Sequence, residues 1–253
     1  MDNNKNKKFN NKRNNINRLR DLYNKDNSNI DIAYKYAKEL IFNNEHLQAK
    51  KILESLIESE KKSLVLVELS KIEQKLGNKE LAINYLEKCI NLNESKFYRN
   101  MALLTLAKLY TKYNEQDKAR ELINICLADP VNQKDINHCL LELSKIEMKE
   151  KNYDQAEICL KKCLDKAVDN KDKQYILLEL GRLEYNIKNY DQAVNYLNQL
   201  IGTDSENYAL LELGKIELKL ENYEQAREYY LKCYKNSKKS HRMEPKRSSI
   251  SII

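Results

Sequence analysis

The stretch LLELGRLEYNIKNYDQA, Leu177–Ala193, recurs in variant form elsewhere in the chain. The segment LLELSKIEMKEKNYDQA covers Leu140–Ala156, and LLELGKIELKLENYEQA covers Leu210–Ala226. A catalytic motif normally occurs once, whereas a phrase that returns at a regular interval describes architecture. The recurrence therefore predicts a protein built from tandem structural repeats.

Six copies of the repeat align on one alanine, which we call the anchor. Successive anchors are 33, 37, 37, 37 and 33 residues apart. A small residue stands twelve positions before every anchor, a large residue stands thirteen before it, and Leu, Ile or Tyr stands four after it. The anchors are Ala49, Ala82, Ala119, Ala156, Ala193 and Ala226. A nearly constant period of this length indicates stacked units.

Each copy contains two helical patterns separated by a short polar break. The first, which we call the A helix, has apolar residues at i, i+3 and i+7, as at Leu180, Leu183 and Ile187. The second, the B helix, begins near Asn152, and we expect that asparagine and its equivalents to cap the helix. Short breaks make the two helices antiparallel neighbours. The small residues are expected where the helices cross, since missing bulk lets their axes approach closely.

This pattern resembles the tetratricopeptide repeat over about residues 30–237. The pairs Leu180-Gly181 and Tyr196-Leu197, together with Tyr190 and the anchor Ala193, match the signature of that family. The resemblance implies an all-α fold, a right-handed α-solenoid of about six stacked antiparallel hairpins. The 37-residue intervals exceed the 34 residues of the family. Where the family usually has Tyr, nine residues before the anchor, four copies carry carboxylates whose partners the sequence leaves open: Glu73, Glu147, Glu184 and Glu217.

The resemblance also implies a concave groove, lined by A helices, that binds extended or helical peptides. Every copy has a base eleven residues before the anchor, and four copies have a lysine seven before it. The candidate peptide-binding residues are Lys71, Lys108, Lys145, Arg182, Lys215, Lys112, Lys149, Met148 and Tyr185. One interpretation is a groove for an acidic segment, held by charge-assisted contacts. The other is a solvated helix face with Glu–Lys pairs.

Positive charge is concentrated at both ends of the chain. The formal net charge is +7, while residues 1–29 and 235–253 each carry a net +5, so the middle is close to balanced. We expect unfolded basic tails at 1–29 and 238–253 around an array at 30–237. Basic tails attract nucleic acid, which makes a nucleic-acid-associated solenoid the alternative to a protein-binding scaffold. The simpler interpretation is that the tails keep the protein in solution.

The sequence offers little to an enzyme, a metal or a membrane. Zinc-binding and nucleophile motifs, phosphate loops and dinucleotide loops are all missing, so we expect no catalysis and no cofactor. Cys159 and Cys163 lie one turn apart near His138, but core packing is the favoured interpretation over a metal site. No window approaches the roughly 18 apolar residues of a membrane span. We therefore expect a cytoplasmic adaptor with reduced thiols, or a regulatory subunit of a larger enzyme assembly, of open oligomeric state.

Overall fold

The computed structural model describes residues 15–92, 94–167 and 169–241, and within them every regular element is a helix. We number these thirteen helices in chain order. They are α1 (15–25), α2 (Ile30–Phe42), α3 (His46–Glu54), α4 (Lys62–Leu76), α5 (Lys79–Leu92), α6 (Lys96–Lys112), α7 (Gln116–Ala128), α8 (Gln133–Lys149), α9 (Tyr153–Asp165), α10 (Asn170–Asn186), α11 (Tyr190–Asn198), α12 (Glu206–Lys219) and α13 (Tyr223–His241).

From α2 onward, consecutive helices pair into the six hairpins that the repeat predicts. The even-numbered helices are the A helices, and the odd-numbered helices after α1 are the B helices. Each hairpin packs on the next where contacts link α3 with α4, α5 with α6, α9 with α10 and α11 with α12. The contacts divide the chain into two compact units, one ending at Cys139 and one beginning at Leu140. The predicted all-α fold of stacked helical hairpins is confirmed.

The A and B helices of each hairpin meet at the predicted small residues. All six anchor alanines are fully buried. A Cβ added to Gly181 would lie 2.7 Å from Leu197 Cγ, and one added to Gly214 would lie 2.6 Å from Tyr230 Cε1. The residue twelve before an anchor therefore lies directly beneath the residue four after it. Because nothing larger fits there, the lack of side-chain bulk sets the distance between the helices.

The break between the A and B helices is one left-handed residue. It stands five positions before the anchor in all six copies: Asn44, Gly77, Asn114, Lys151, Lys188 and Glu221, each with φ between 61° and 86°. The next residue then donates its backbone N–H to the carbonyl five residues back, as Asn189 does to Glu184 at 2.9 Å. This arrangement ends an A helix with its last carbonyls satisfied.

The four unexplained carboxylates bond to asparagines across this break. In each pair the asparagine Nδ2 donates to the glutamate Oε2: Asn78 to Glu73 at 2.6 Å, Asn152 to Glu147 at 2.9 Å, Asn189 to Glu184 at 2.8 Å and Asn222 to Glu217 at 2.8 Å. The predicted side-chain caps are consequently wrong at Asn152 and Asn189, which make no side-chain cap bond. Their amides bond backward to the A helix.

The other two copies change both positions of the pair together. Leu40 and Tyr110 replace the carboxylate, and Glu45 and Glu115 replace the asparagine. The backbone bond across the break is kept, since Glu45 donates to the Leu40 carbonyl and Glu115 to the Tyr110 carbonyl, both at 2.9 Å. Glutamate thus occurs nine residues before an anchor only where asparagine follows five residues later. The joint change indicates that the carboxylate depends on its amide donor.

Two of these buried carboxylates have opposite electrostatic surroundings. Glu73 forms an ion pair with Lys50 of the preceding B helix at 2.7 Å. Glu184 instead faces Glu157 and Lys161 of α9. Burial raises the pKa of Glu184 and Glu157 raises it further, while the bond from Asn189 and the charge of Lys161 oppose the rise. The two sites share one backbone motif, but only Glu73 has a cation bound to it in the structure.

The prediction that residues 1–29 are unfolded is wrong for residues 15–25, which form helix α1. Ile16, Leu19 and Tyr23 lie on one face of this helix and pack on the hydrophobic core of the first unit. The Tyr23 ring packs at a tilt against the Tyr36 ring, with 5.5 Å between ring centroids. The high charge of the segment hid this spacing of i, i+3 and i+7. At the other end, α13 extends to His241, beyond the predicted limit of 237, while residues 1–14 and 242–253 lie outside the described residues.

Overpacking the crossing should destabilise the protein. We expect Ala156→Leu to cost roughly 1–3 kcal/mol of unfolding free energy, because the added atoms must push the helices apart. Ala128→Leu, at an exposed position of α7, is the matched control and should change stability little. Urea unfolding followed by circular dichroism measures both. Equal stability of the two variants would contradict the close crossing.

Removing the charge from Glu184 and removing it from Glu73 should change the stability of the protein in opposite directions at pH 7. Because the pKa of Glu184 is raised, its charged form is disfavoured in the folded state, and stability is lost as pH rises through that pKa. Glu184→Gln keeps an acceptor for Asn189 and should be more stable relative to the parent at pH 7 than at pH 4. Glu73→Gln loses the Lys50 ion pair and should lose about 1–3 kcal/mol at pH 7. Urea unfolding at both pH values distinguishes them.

Candidate peptide-binding face

The predicted ladder of bases lies on one face of successive A helices. Its members are Lys71 on α4, Lys108 on α6, Lys145 on α8, Arg182 on α10 and Lys215 on α12. Lys71, Lys108 and Lys215 are exposed, whereas Lys145 and Arg182 are half-buried. Lys71 and Lys108 belong to the first unit, and the other three belong to the second. We call the surface that these positions form within each unit the A-helix face.

Most of these bases form ion pairs with glutamates one turn earlier on the same helix. The glutamates stand fourteen residues before the anchor. The pairs are Lys71 with Glu68 at 3.1 Å, Lys145 with Glu142 at 3.0 Å, Arg182 with Glu179 at 2.9 Å and Lys215 with Glu212 at 2.8 Å. Four of the six copies share this pair, while the first copy has Lys35 and the third has Thr105 at the glutamate position.

The same carboxylates also join neighbouring A helices. Lys38 on α2 reaches Glu68 on α4 at 2.7 Å, and Arg182 Nε on α10 reaches Glu212 on α12 at 2.8 Å. Glu68 and Glu179 are only 6% and 5% exposed, so each is held by its cation within the protein surface. The predicted row of bases is therefore a ribbon of alternating charges. An acidic partner would compete with these glutamates for the same cations.

Two bases of the ribbon are held firmly in their charged forms. Burial opposes the charge on Lys145, but Glu142 and Tyr175 outweigh it and raise the pKa of the ammonium. The Lys145 Nζ lies 5.5 Å from the centroid of the Tyr175 ring, a cation–π contact between α8 and α10. Burial is likewise outweighed at Arg182, whose pKa Glu179 and Glu212 raise.

The remaining predicted site residues differ in accessibility. Lys112 and Lys149 are exposed in the last turns of α6 and α8. Met148 and Tyr185 are half-buried and pack against the cores of the second unit. Tyr185 also contacts the Tyr190 ring, with 5.8 Å between centroids. Because these two side chains already have apolar neighbours, they offer less surface than the sequence suggests.

Two exposed tyrosines of this face were missed by the sequence analysis. Tyr175 on α10 is 37% exposed, and Tyr208 on α12 is 58% exposed. Both stand eighteen residues before an anchor, one helical turn before the glutamate of the ribbon. A search for aromatic residues at this position would have found them. The second unit therefore combines aromatic surface with paired charges on its A helices.

The cysteines pack in the interior of the hairpins. All six are buried, and none of them forms a disulfide bond. Burial raises the pKa of Cys89 to about 11 and that of Cys163 to about 12, which keeps both thiols protonated and unreactive. In the part of the chain that the structure describes, no three His, Cys, Asp or Glu side chains are grouped to hold a metal ion. The absence of enzymatic activity stays a prediction.

Replacing Arg182 should weaken the junction between α10 and α12. Arg182→Met leaves Glu179 and Glu212 without their shared cation, and we expect a loss of about 1–3 kcal/mol in unfolding free energy. Lys215→Met is the matched control, since Lys215 pairs with Glu212 on its own helix and is half exposed; it should cost no more than ~0.5 kcal/mol. Urea unfolding compares them, and a larger loss for Lys215→Met would overturn the proposed link.

Among the described helices, none combines the length and apolar composition that crossing a bilayer requires.

Tetratricopeptide repeat models match residues 65–96, 138–165, 175–205 and 208–240. A model of anaphase-promoting complex subunit 5 matches residues 83–146. No curated protein sequence is significantly similar to the chain.

Solved structures with the same fold are distant in sequence. A tetratricopeptide repeat protein from Parabacteroides merdae ATCC 43184 is 15% identical, with a TM-score of 0.68 over 87% of this chain and 84% of that one. PilW, a type IV pilus biogenesis factor, is 20% identical, with a TM-score of 0.65 over 81% of this chain and 92% of that one. A chain of the APC/C hetero-tetramer Cut9–Hcn1 is 16% identical, with a TM-score of 0.63 over 86% of this chain and 42% of that one. With its repeated hairpins and these matches, the chain belongs to the tetratricopeptide repeat family.

Proposed function

We propose that the protein is a non-catalytic scaffold that binds a peptide segment of a protein partner on its A-helix face. The observation that carries the proposal is the surface around Lys145, where a cation stacks on the exposed Tyr175 ring. Tyr208 lies further along the same row of A-helix positions and is exposed as well. Aromatic rings beside charged groups supply both contact area and orientation to a bound segment.

The charge ribbon limits which partner residues bind strongly. Because Glu68, Glu142, Glu179 and Glu212 already accept from the ladder bases, those bases add less attraction for an acidic segment than a bare row would. Lys112 and Lys149 are exposed in the last turns of α6 and α8, where carboxylates of a partner can reach them. We therefore propose a segment that carries both acidic and apolar side chains, with binding that weakens as salt rises.

The cytoplasm is the compartment that we assign within this proposal, and the buried free thiols support it. The nucleic-acid alternative depends on the basic tails, most of which lie outside the described residues. The proposal of a regulatory subunit is a special case of the scaffold. In that case the bound partner would be an enzyme.

Reversing charge on the A-helix face should weaken partner binding. The variant Lys112→Glu/Lys149→Glu is compared with Lys88→Glu/Lys162→Glu, which makes the same charge change at exposed sites of B helices. Partners are captured from the native lysate by each protein and quantified by mass spectrometry. We expect the A-helix variant to retain about tenfold less of the main partner, equivalent to about 1.4 kcal/mol, and the control to retain it.

Circular dichroism and urea unfolding confirm first that both variants are folded. Equal capture by the two variants would remove the A-helix face from consideration. Loss of capture by the B-helix control alone would place the binding surface on the opposite helices.

A further inference from the structure

A cleft in the first unit lies on the side of its helices away from the A-helix face. It has a volume of about 520 Å³ and runs along α6 between the B helices α5 and α7. Four residues of α6 line it: Arg99, Leu103, Leu106 and Tyr110. At about 100° per residue, these positions lie on the side of α6 opposite to Lys108. The cleft is therefore separate from the peptide-binding face proposed above.

The cleft is apolar at its centre and charged at its rim. Its apolar lining comes from all three helices: Ile90, Leu103, Leu106, Leu122 and Ile125. Glu87 of α5 and Glu121 of α7 line it from opposite sides and are exposed. From Arg99 to Tyr110 the cleft follows about 16 Å of α6. An extended segment of about five residues has the same length.

Tyrosine fills the corresponding space between other B helices. Tyr85 of α5, three residues after its anchor, is 8% exposed and packs in the core of the first unit. Burial raises the pKa of its phenol, and Glu54 of α3 and Glu73 of α4 raise it further against the charge of Lys50, which places the phenol beside both preceding helices. Tyr196, at the same position of α11, packs against a core cluster built from α9 and α10. An aromatic ring thus fits the space between B helices.

The third copy leaves this space open. Leu122 stands where the second, fifth and sixth copies have tyrosine, and it is half-buried at the border of the cleft. The first and fourth copies have Ile52 and Cys159 there, and each is only 6% exposed. Tyr110 lies at the end of the cleft next to the break between α6 and α7, with the Lys118 ammonium 5.2 Å from its ring centroid. The middle of the cleft keeps room for a ring from another molecule.

A half-buried cation without a carboxylate lies at the other end of the cleft. Lys62, at the equivalent position of α4, is half-buried too and forms an ion pair with Glu94 at 3.1 Å. Twelve residues after the anchor, where the second copy has Glu94, the third copy has Val131. Among the described residues, no carboxylate forms an ion pair with Arg99. Because burial removes part of its hydration, the Arg99 guanidinium favours an anion from a bound molecule.

We propose that the cleft binds an extended segment of a protein partner, with an aromatic side chain over Leu103 and Leu106 and a carboxylate at Arg99. Arg99 and Leu103 lie one turn apart, about 6 Å along the axis of α6. In an extended segment, residues i and i+2 point the same way and lie about 7 Å apart, so the aromatic and acidic residues stand two positions apart. Glu87 and Glu121 then accept hydrogen bonds from backbone N–H groups of the segment.

Tryptophan peptides test the proposal on the full chain, because the chain itself contains no tryptophan. The probes are acetyl-Trp-Gly-Asp-amide and acetyl-Asp-Gly-Trp-amide, which present the two side chains in either direction. We expect the indole emission of one probe to shift to shorter wavelength as protein is added, with a Kd of about 0.1–1 mM. The same peptide with Asn in place of Asp should bind about tenfold more weakly. No saturable shift with either probe would overturn the proposal.

Two variants show whether the probe occupies the cleft. Leu122→Tyr restores the ring that other copies have and should weaken binding at least about tenfold. Arg99→Met should remove the preference for Asp over Asn and leave the affinity for the Asn peptide unchanged. Lys62→Met, at the equivalent base of the second copy, is the matched control and should change neither affinity. Circular dichroism and urea unfolding confirm that all three are folded. Parental affinity in Leu122→Tyr, or a preference for Asp that survives in Arg99→Met, would place the probe elsewhere and contradict the proposed site.

Discussion

The close crossing of two helices at residues without side-chain bulk is the constraint on which every hairpin depends. The anchor alanines are fully buried, and Gly181 and Gly214 leave space that Leu197 and Tyr230 occupy. The large residues beside each crossing make the stabilising contacts. The small residues let the two helices come close enough for those contacts to form. Stacking then buries the second face of each hairpin, which a single hairpin leaves exposed.

Buried charge is handled in two ways in this fold. At the break between helices, carboxylates such as Glu184 accept from an asparagine five residues later and tolerate burial at the cost of a raised pKa. Along the A-helix face, carboxylates such as Glu212 are shared by two cations and join consecutive helices. The first arrangement shapes the turn within a hairpin, and the second aligns one hairpin with the next.

Repetition made the hairpins and their crossings predictable, because six copies constrain the same positions. The glutamate–asparagine pairs could also have been predicted by comparing the copies, because both residues change together at Tyr110 and Glu115. The link from Arg182 to Glu212 was not, because it joins residues of different copies and depends on how hairpins stack. Helix α1 was missed since its apolar residues lie in a strongly basic segment outside the repeat.

Hydrogen exchange tests the central claim most directly. If the small-residue crossings stabilise each hairpin, the slowest backbone amides in every A and B helix should cluster around the anchors and the residues twelve positions before them, such as Ala193 and Gly181. Exchange at these amides that is as fast as at the helix ends would contradict the account.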